Sequence, residues 1–337
     1  MKRTMLLVLV GAIVMCSLPF LIVGLFSSGS RYYLHLVIQT LIWAQIYTAW
    51  ALMGRFGLTS LGHGAFTGVG AYVTVMLWNW FGLSPLVGIP ISIVLAVILA
   101  VMIGYPSFMQ RIKGHYFALL TLALVEFVRL CIVGLRDYTG GSLGTQPQRY
   151  GDGLSFFAVQ FETNRFVAYF VVLVIWTFTL IVWQKLNNSM DRQALEAINE
   201  DEDAAAAAGI NVTYEKLKVT MISAALTALG GAIFAQYQMY IAPESISGLN
   251  VSLSIVFGVV AGGIGVLLGP TVGAILTQSL SEGLRVFAQS SAWLTENLGT
   301  RALSLDGIIY GVLLLLFIIY MPKGIVGTLL SSRKKQK

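Results

Sequence analysis

Ser60, His63, Thr121 and Glu126 all stand inside long apolar stretches of the chain. A polar or ionisable side chain at membrane depth must face protein or water, because hydrocarbon offers it no partner. The chemistry open to such residues is hydrogen bonding to a passing solute or to a neighbouring helix. Ser60 and His63, with Gly62, Phe66, Tyr116, Thr121 and Glu126, are therefore candidates for lining a path through the membrane; for His63 a satisfied interhelical hydrogen bond is the alternative. Glu126 and Arg129 stand three residues apart, which places both on one helix face and lets them pair, either within a span or at its interfacial end. Glu282 and Arg285 repeat that spacing near another segment end. Catalysis has no comparable support. The chain shows no paired catalytic acids, no metal-ligand cluster and no H-E-x-x-H, so no catalytic or metal site is expected. G-x-x-x-x-G-K-[ST] is also absent, and Gly262-Gly263-Ile264-Gly265 lacks the strand–loop–helix context of a dinucleotide site.

Helices that cross a membrane must position these residues. The chain has 337 residues, 57% hydrophobic and 11% charged, against about 45–50% and about 25% in soluble domains. A transmembrane helix needs about 20 mostly apolar residues. Such runs recur at 5–26, 34–54, 57–77, 86–106, 116–134, 166–184, 216–238, 251–268, 270–288 and 306–320. The expected fold is an all-α polytopic integral membrane protein of about ten transmembrane helices. The pairs flanking Gly57 and Gly269-Pro270 are either separate spans or broken, re-entrant helices.

The first run exceeds the roughly 7–15 residues of a signal-peptide core, so it reads as a span with its N-terminus inside. Lys2, Arg3, Arg55, Arg111, Lys113, Lys185, Arg192, Lys216, Lys218 and Lys323, with the basic C-terminal residues, then fall on the inner side. That is most of the 21 Lys and Arg, so the positive-inside rule supports this orientation with both termini inside. The net charge of +6 serves as an orientation signal and needs no nucleic acid to explain it. Tyr32, Trp78, Trp80, Tyr240, Tyr310 and Tyr320 are expected as interfacial anchors, and the small residues from Gly57 to Ala71 permit close helix approach. Cys16 and Cys131, both in apolar runs, form no disulfide framework.

Two hydrophilic loops interrupt the single membrane domain, an outer one at 135–165 and an inner one at 185–215. The inner loop carries helix signals. Asn199 is expected to cap a helix over 200–208, with Glu200 to Asp203 in its first turn, Ala204 to Ala208 in its body and Gly209 at its end. A second short helix is expected from Asp191 to Ile198, and Thr213 is expected to cap the next span. The loop is either a solvated acidic connector or a docking element.

Asp203-Ala204-Ala205, three residues and Gly209 resemble the E-A-A-x-x-x-G loop by which permease subunits of ABC importers dock on their ATPases, with Asp in place of Glu. Other segments resemble one branch of that group: GLTSLGHGAFTGVGAYV (57–73), RIKGHYFALLTLALVEFVR (111–129) and Thr139-Gly140-Gly141. INVTYEKLKVTMISAALTALGGAIFAQYQMYIAPES (210–245), VVAGGIGVLLGPTVGAIL (259–276) and YGVLLLLFIIYMPKGIVG (310–327) continue the likeness. Ser142-Leu143-Gly144-Thr145 departs from the usual P-N-G-I. The chain resembles the M-type permease subunit of branched-chain amino acid ABC importers, the leucine/isoleucine/valine high-affinity family.

This resemblance implies a type II-like ABC importer permease occupying residues 1–337, placed in a bacterial inner membrane and importing branched-chain or other hydrophobic amino acids. It implies a homologous H-type permease partner, two ABC ATPase subunits that bind the ATP and Mg, and a periplasmic substrate-binding protein, with no cofactor in this chain. Glu202, Asp203, Ala204, Ala205 and Gly209 would form the ATPase-coupling set. Because of the departure after Gly141, urea, short amides and aromatic acids are alternative substrates. An ATP-independent secondary transporter or channel is the alternative of another class, and it leaves the acidic inner loop unexplained.

Overall fold

The computed structural model describes residues 15–25, 29–151, 154–161, 164–290, 311–312, 324–326 and 328. Helix α1, Met15–Leu25, is short. It is followed by α2 (Ser30–Gly54), α3 (His63–Phe81), α4 (Pro85–Met109) and α5 (His115–Gly134). A loop region holds α6 (Arg136–Thr139), a 3-10 turn (Gly141–Leu143) and a hairpin of β1 (Leu154–Ser155) with β2 (Gln160–Phe161). Then come α7 (Arg165–Asn187), α8 (Met190–Glu200), α9 (Glu202–Ala207), α10 (Val212–Gln238), α11 (Pro243–Ile246), α12 (Leu249–Gly262) and α13 (Gly269–Ser290).

Side-chain caps set several of these boundaries. Ser84 Oγ accepts from Leu86 N with Pro85 in the first turn of α4, where its missing N–H costs nothing. Asn164 Oδ1 accepts from Phe166 N and Val167 N to start α7. Asn211 Oδ1 accepts from Tyr214 N at 3.0 Å to start α10, so Asn211, and not the expected Thr213, is the cap.

Six stretches are long and apolar enough to cross a membrane: α2, α4, α5, α7, α10 and the joined stretch Pro243–Gly262. Helices α3 and α13 fall short of that threshold, α3 through its small and polar residues and α13 through Gln278, Glu282 and Arg285. The expectation of about ten crossings therefore goes beyond what the described residues establish. The expected span at 306–320 lies outside them apart from residues 311–312, and the first run is described only from Met15. Both predicted breaks exist as non-helical links, Arg55–Gly62 before α3 and Gly263–Leu268 before α13.

The core forms around α2, α3 and α10. Tyr47, Trp50 and Ile46 of α2 are buried among Ala224, Ala228 and Phe234 of α10 and Phe66 of α3. Small residues bring α3 and α10 into backbone contact, as expected for membrane interfaces. A Cβ at Gly70 would lie 2.0 Å from the Ala228 carbonyl oxygen, and one at Gly231 would lie 2.2 Å from that of Thr67. Helices α4, α5 and α7 turn large apolar side chains outward, among them Val94, Ile98, Leu119, Phe127, Val174 and Phe178. Lipid tails solvate such a belt at no cost.

The bundle has two chemically different ends. At one, α8 and α9 form an elbow. At the other, Trp78 Nε1 donates to Gln148 O, Trp80 Nε1 to Tyr138 O and Tyr240 Oη to Leu143 O, so these expected anchors tie helix ends to the 135–165 loop. Gly140-Gly141-Ser142-Leu143-Gly144 spells G-x-S-x-G, but the segment runs through the 3-10 turn and lacks the strand–turn–helix that a nucleophile elbow requires.

Candidate functional site

Leu195, Ile198, Glu202 and Ala205 are the buried residues of the α8–α9 elbow, and their spacing forms one stripe across both helices. Leu195 enters a cluster with Phe56, Phe108, Trp183 and Val219, so apolar packing seats the elbow on the bundle. Asp203, Ala204, Ala207, Ala208 and Gly209 are left exposed on the other face.

Charge fixes the elbow as well. Lys216 Nζ of α10 lies 2.7 Å from Glu202 Oε2, and Lys113 Nζ lies 3.5 Å from the same oxygen. Arg111 pairs with Asp203, and Lys218 Nζ lies 2.7 Å from Asp191 Oδ2. The elbow is thereby tied to α10 and to the α4–α5 link. Burial makes the Glu202–Lys216 pair demanding: removing Glu202 would strand the Lys216 ammonium away from water, and removing Lys216 would leave Glu202 only the longer contact to Lys113.

Local hydrogen bonds shape α9. Asp201 lies in extended backbone between the two helices, and its Oδ1 accepts from Asp203 N at 2.9 Å and Ala204 N at 3.0 Å. Those two N–H groups hold the Asp201 carboxyl below its ordinary range. The expected cap was Asn199 with a helix over 200–208. Instead Asn199 belongs to α8, Asp201 is the cap, and α9 runs Glu202–Ala207. At its far end Gly209, with φ +89°, donates to Ala206 O, while Ile210 N donates to Ala205 O, the pattern of a Schellman closure.

A second constellation is internal. Trp50 Nε1 donates to Ser60 O at 2.7 Å, Gly62 N to Ser60 Oγ at 3.0 Å and Leu61 N to Thr121 Oγ1 at 2.9 Å. His63 Nε2 lies 2.8 Å from Ser223 Oγ, and Ser223 Oγ donates to Ala49 O. With the serine proton engaged there, His63 Nε2 carries the ring proton and Nδ1 keeps a bare lone pair, which has no partner among the described residues. The ring is flanked edge-on by Trp50 and Phe66. Ser60, Gly62, His63, Phe66 and Thr121 are thus brought together in one buried knot that anchors the inner end of the irregular Arg55–Gly62 link, of which Gly57 and Thr59 stay exposed.

Tyr116 and Glu126 stand apart from that knot. Tyr116 is 77% exposed on α5. Glu126 pairs with Arg129 as its spacing suggests, and Arg129 Nη1 also donates to Glu244 Oε1 at 2.8 Å. Glu282 and Arg285 repeat the spacing but do not form an ion pair; Glu282 Oε1 accepts from Tyr32 Oη at 2.7 Å. Sequence reasoning missed Arg111, Lys113 and Lys216 as elbow anchors. Their only signal was a basic residue at a span end, which orientation alone already explained.

A multi-pass membrane protein with an apolar belt and an ion-paired elbow, matched by a permease-component family model, belongs to the class of transport permeases, not enzymes. The chain is a member of the family described as branched-chain amino acid transport system / permease component, whose model matches residues 32–318. It is similar to the high-affinity branched-chain amino acid transport system permease protein LivM of Salmonella typhimurium, 28% identical over 82% of this chain and 65% of that protein. The same figures hold for LivM of Escherichia coli, so the chain spans about two thirds, 65%, of the length of these relatives. The probable branched-chain amino acid transport permease protein LivH of Methanocaldococcus jannaschii is 24% identical over 84% of this chain and 90% of that protein. No solved structure matches.

Proposed function

We propose that this chain is one permease subunit of an ATP-driven importer of branched-chain or other hydrophobic amino acids. The observation that carries the proposal is the elbow, a rigid two-helix element pinned by Glu202–Lys216, Lys113 and Arg111–Asp203, with Asp203, Ala204 and Gly209 turned outward. A partner gripping that face would move α10 and the α4–α5 link together, and with them the knot around His63. Glu202 and Ala205 anchor the lever, and the outward residues meet the partner.

In this reading the elbow end faces the cytoplasm, about ten helices cross a bacterial inner membrane, and the 135–165 loop meets a periplasmic binding protein. The likeness to both LivM and LivH proteins supports a pair of homologous permeases, each supplying half of the pathway. Two ATPase subunits bind the ATP and Mg, since the chain has no phosphate-binding loop of its own. Purifying the tagged chain from its native membrane in mild detergent tests this. Recovery of a second permease and Walker-motif ATPases is expected, and recovery of the chain alone, active in ATP-free vesicles, would mean a self-sufficient carrier.

A further inference from the structure

At the end of the bundle opposite the elbow, Tyr32, His35 and Gln39 of α2 face Gln278, Glu282 and Arg285 of α13 across a cavity of about 750 Å³. Small-molecule sites occupy about 300–1,000 Å³. The spacing of each trio turns a polar stripe of one helix toward that of the other, in a membrane protein where such residues need a polar counterpart. Tyr32 Oη orients the Glu282 carboxylate by donating to Oε1. Among the described residues Arg285 forms no ion pair, although Glu282 stands one turn away. His35 is engaged elsewhere, with Nδ1 2.7 Å from Tyr237 Oη and its ring stacked on that tyrosine.

A lone cation would be repelled by Arg285, and a lone anion by Glu282. A small molecule carrying both charges satisfies both groups, and guanidinium–carboxylate pairing is among the strongest polar contacts. Leu36 and Val286 add apolar wall beside these charges. We propose that this cavity holds the zwitterionic head of an amino acid on its way across the membrane, Arg285 taking the carboxylate and Glu282 the ammonium. The inference rests on the importer reading. A phosphatidylethanolamine head group presents the same two charges.

The test uses the full complex in vesicles of phosphatidylglycerol, with Cys16 and Cys131 changed to Ala and with Ser281→Cys, whose side chain borders the cavity. Reaction of that thiol with a charged methanethiosulfonate is timed with L-leucine as probe. L-Leucine should slow it at least fivefold. Leucinol, lacking the carboxylate, and isovalerate, lacking the ammonium, should not, and adding Arg285→Gln should remove the protection while Arg285→Lys keeps part of it. No slowing by L-leucine, or equal slowing by leucinol and isovalerate, overturns the proposal. Slowing only when phosphatidylethanolamine is added assigns the cavity to lipid and overturns it too. Uptake of L-leucine by the unmodified complex is measured separately, so failure of the importer reading is distinguishable from failure of this site.

Discussion

Lys216 Nζ and Glu202 Oε2 lie 2.7 Å apart with both side chains almost wholly out of solvent, joining the shortest helix of the elbow to a central helix of the bundle. Breaking a buried pair costs about 3–5 kcal/mol because the survivor keeps an uncompensated charge, whereas replacing both with apolar groups is often neutral. Glu202→Ala is therefore expected to lower the melting temperature of the purified chain and to uncouple uptake from ATP hydrolysis. Glu202→Leu with Lys216→Met should recover most of the stability. Melting curves in detergent, single against double variant, check this.

Gly209 closes α9 at φ +89°, a conformation costing an L-residue about 1–2 kcal/mol. Among the described residues, its chain neighbours aside, no atom comes within 4 Å of a Cβ built there, so a side chain would project outward. Gly209→Val should leave membrane insertion intact and abolish coupled uptake. Normal uptake by that variant would remove the docking role.

Close helix approach makes its own prediction. Gly70→Leu would drive a side chain into the backbone of α10 and should lower stability by about 1–3 kcal/mol or more, the cost of overpacking. Gly283→Ala on α13 meets nothing within 4 Å among the described residues and, given the higher helix propensity of Ala, should hold or slightly raise the melting temperature. The contrast between the two melting curves is the measurement.

The Asp201 cap depends on pH. Its pKa is lowered in the folded chain by the backbone N–H groups of Ala204 and Asp203. Its contribution is therefore fully present above the unfolded value, about 3.9, and is lost as pH falls through the folded value. Amide exchange at Asp203 and Ala204, corrected for intrinsic rates, should quicken on acidification relative to Asp201→Asn, which caps without a charge.

Long apolar runs were legible because membrane helices satisfy their backbone internally and must be about 20 residues long. Thus α4, α5 and α7 fall within three residues of their expected bounds. Caps were less legible. Asn199 and Asp201 are both good capping residues two positions apart, and only the extended backbone at Asp201 decides between them. Likewise Glu126–Arg129 and Glu282–Arg285 share one spacing, yet only the first pair closes, because Tyr32 from a distant segment takes up Glu282. The elbow's anchors were hidden for the same reason: Lys113 and Lys216 meet Glu202 only through tertiary packing.

The most direct test of the lever is proximity. Ala207, exposed on the face of α9 turned from the bundle, is changed to Cys in a chain lacking Cys16 and Cys131, and the complex is treated with a short bifunctional thiol reagent during turnover. The account predicts a cross-linked product joining this chain to the ATPase subunit, formed in proportion to coupled uptake and lost with Gly209→Val. ATP-driven uptake that proceeds with no such product, or with Ala207 joined only to lipid or solvent-borne thiols, would contradict it.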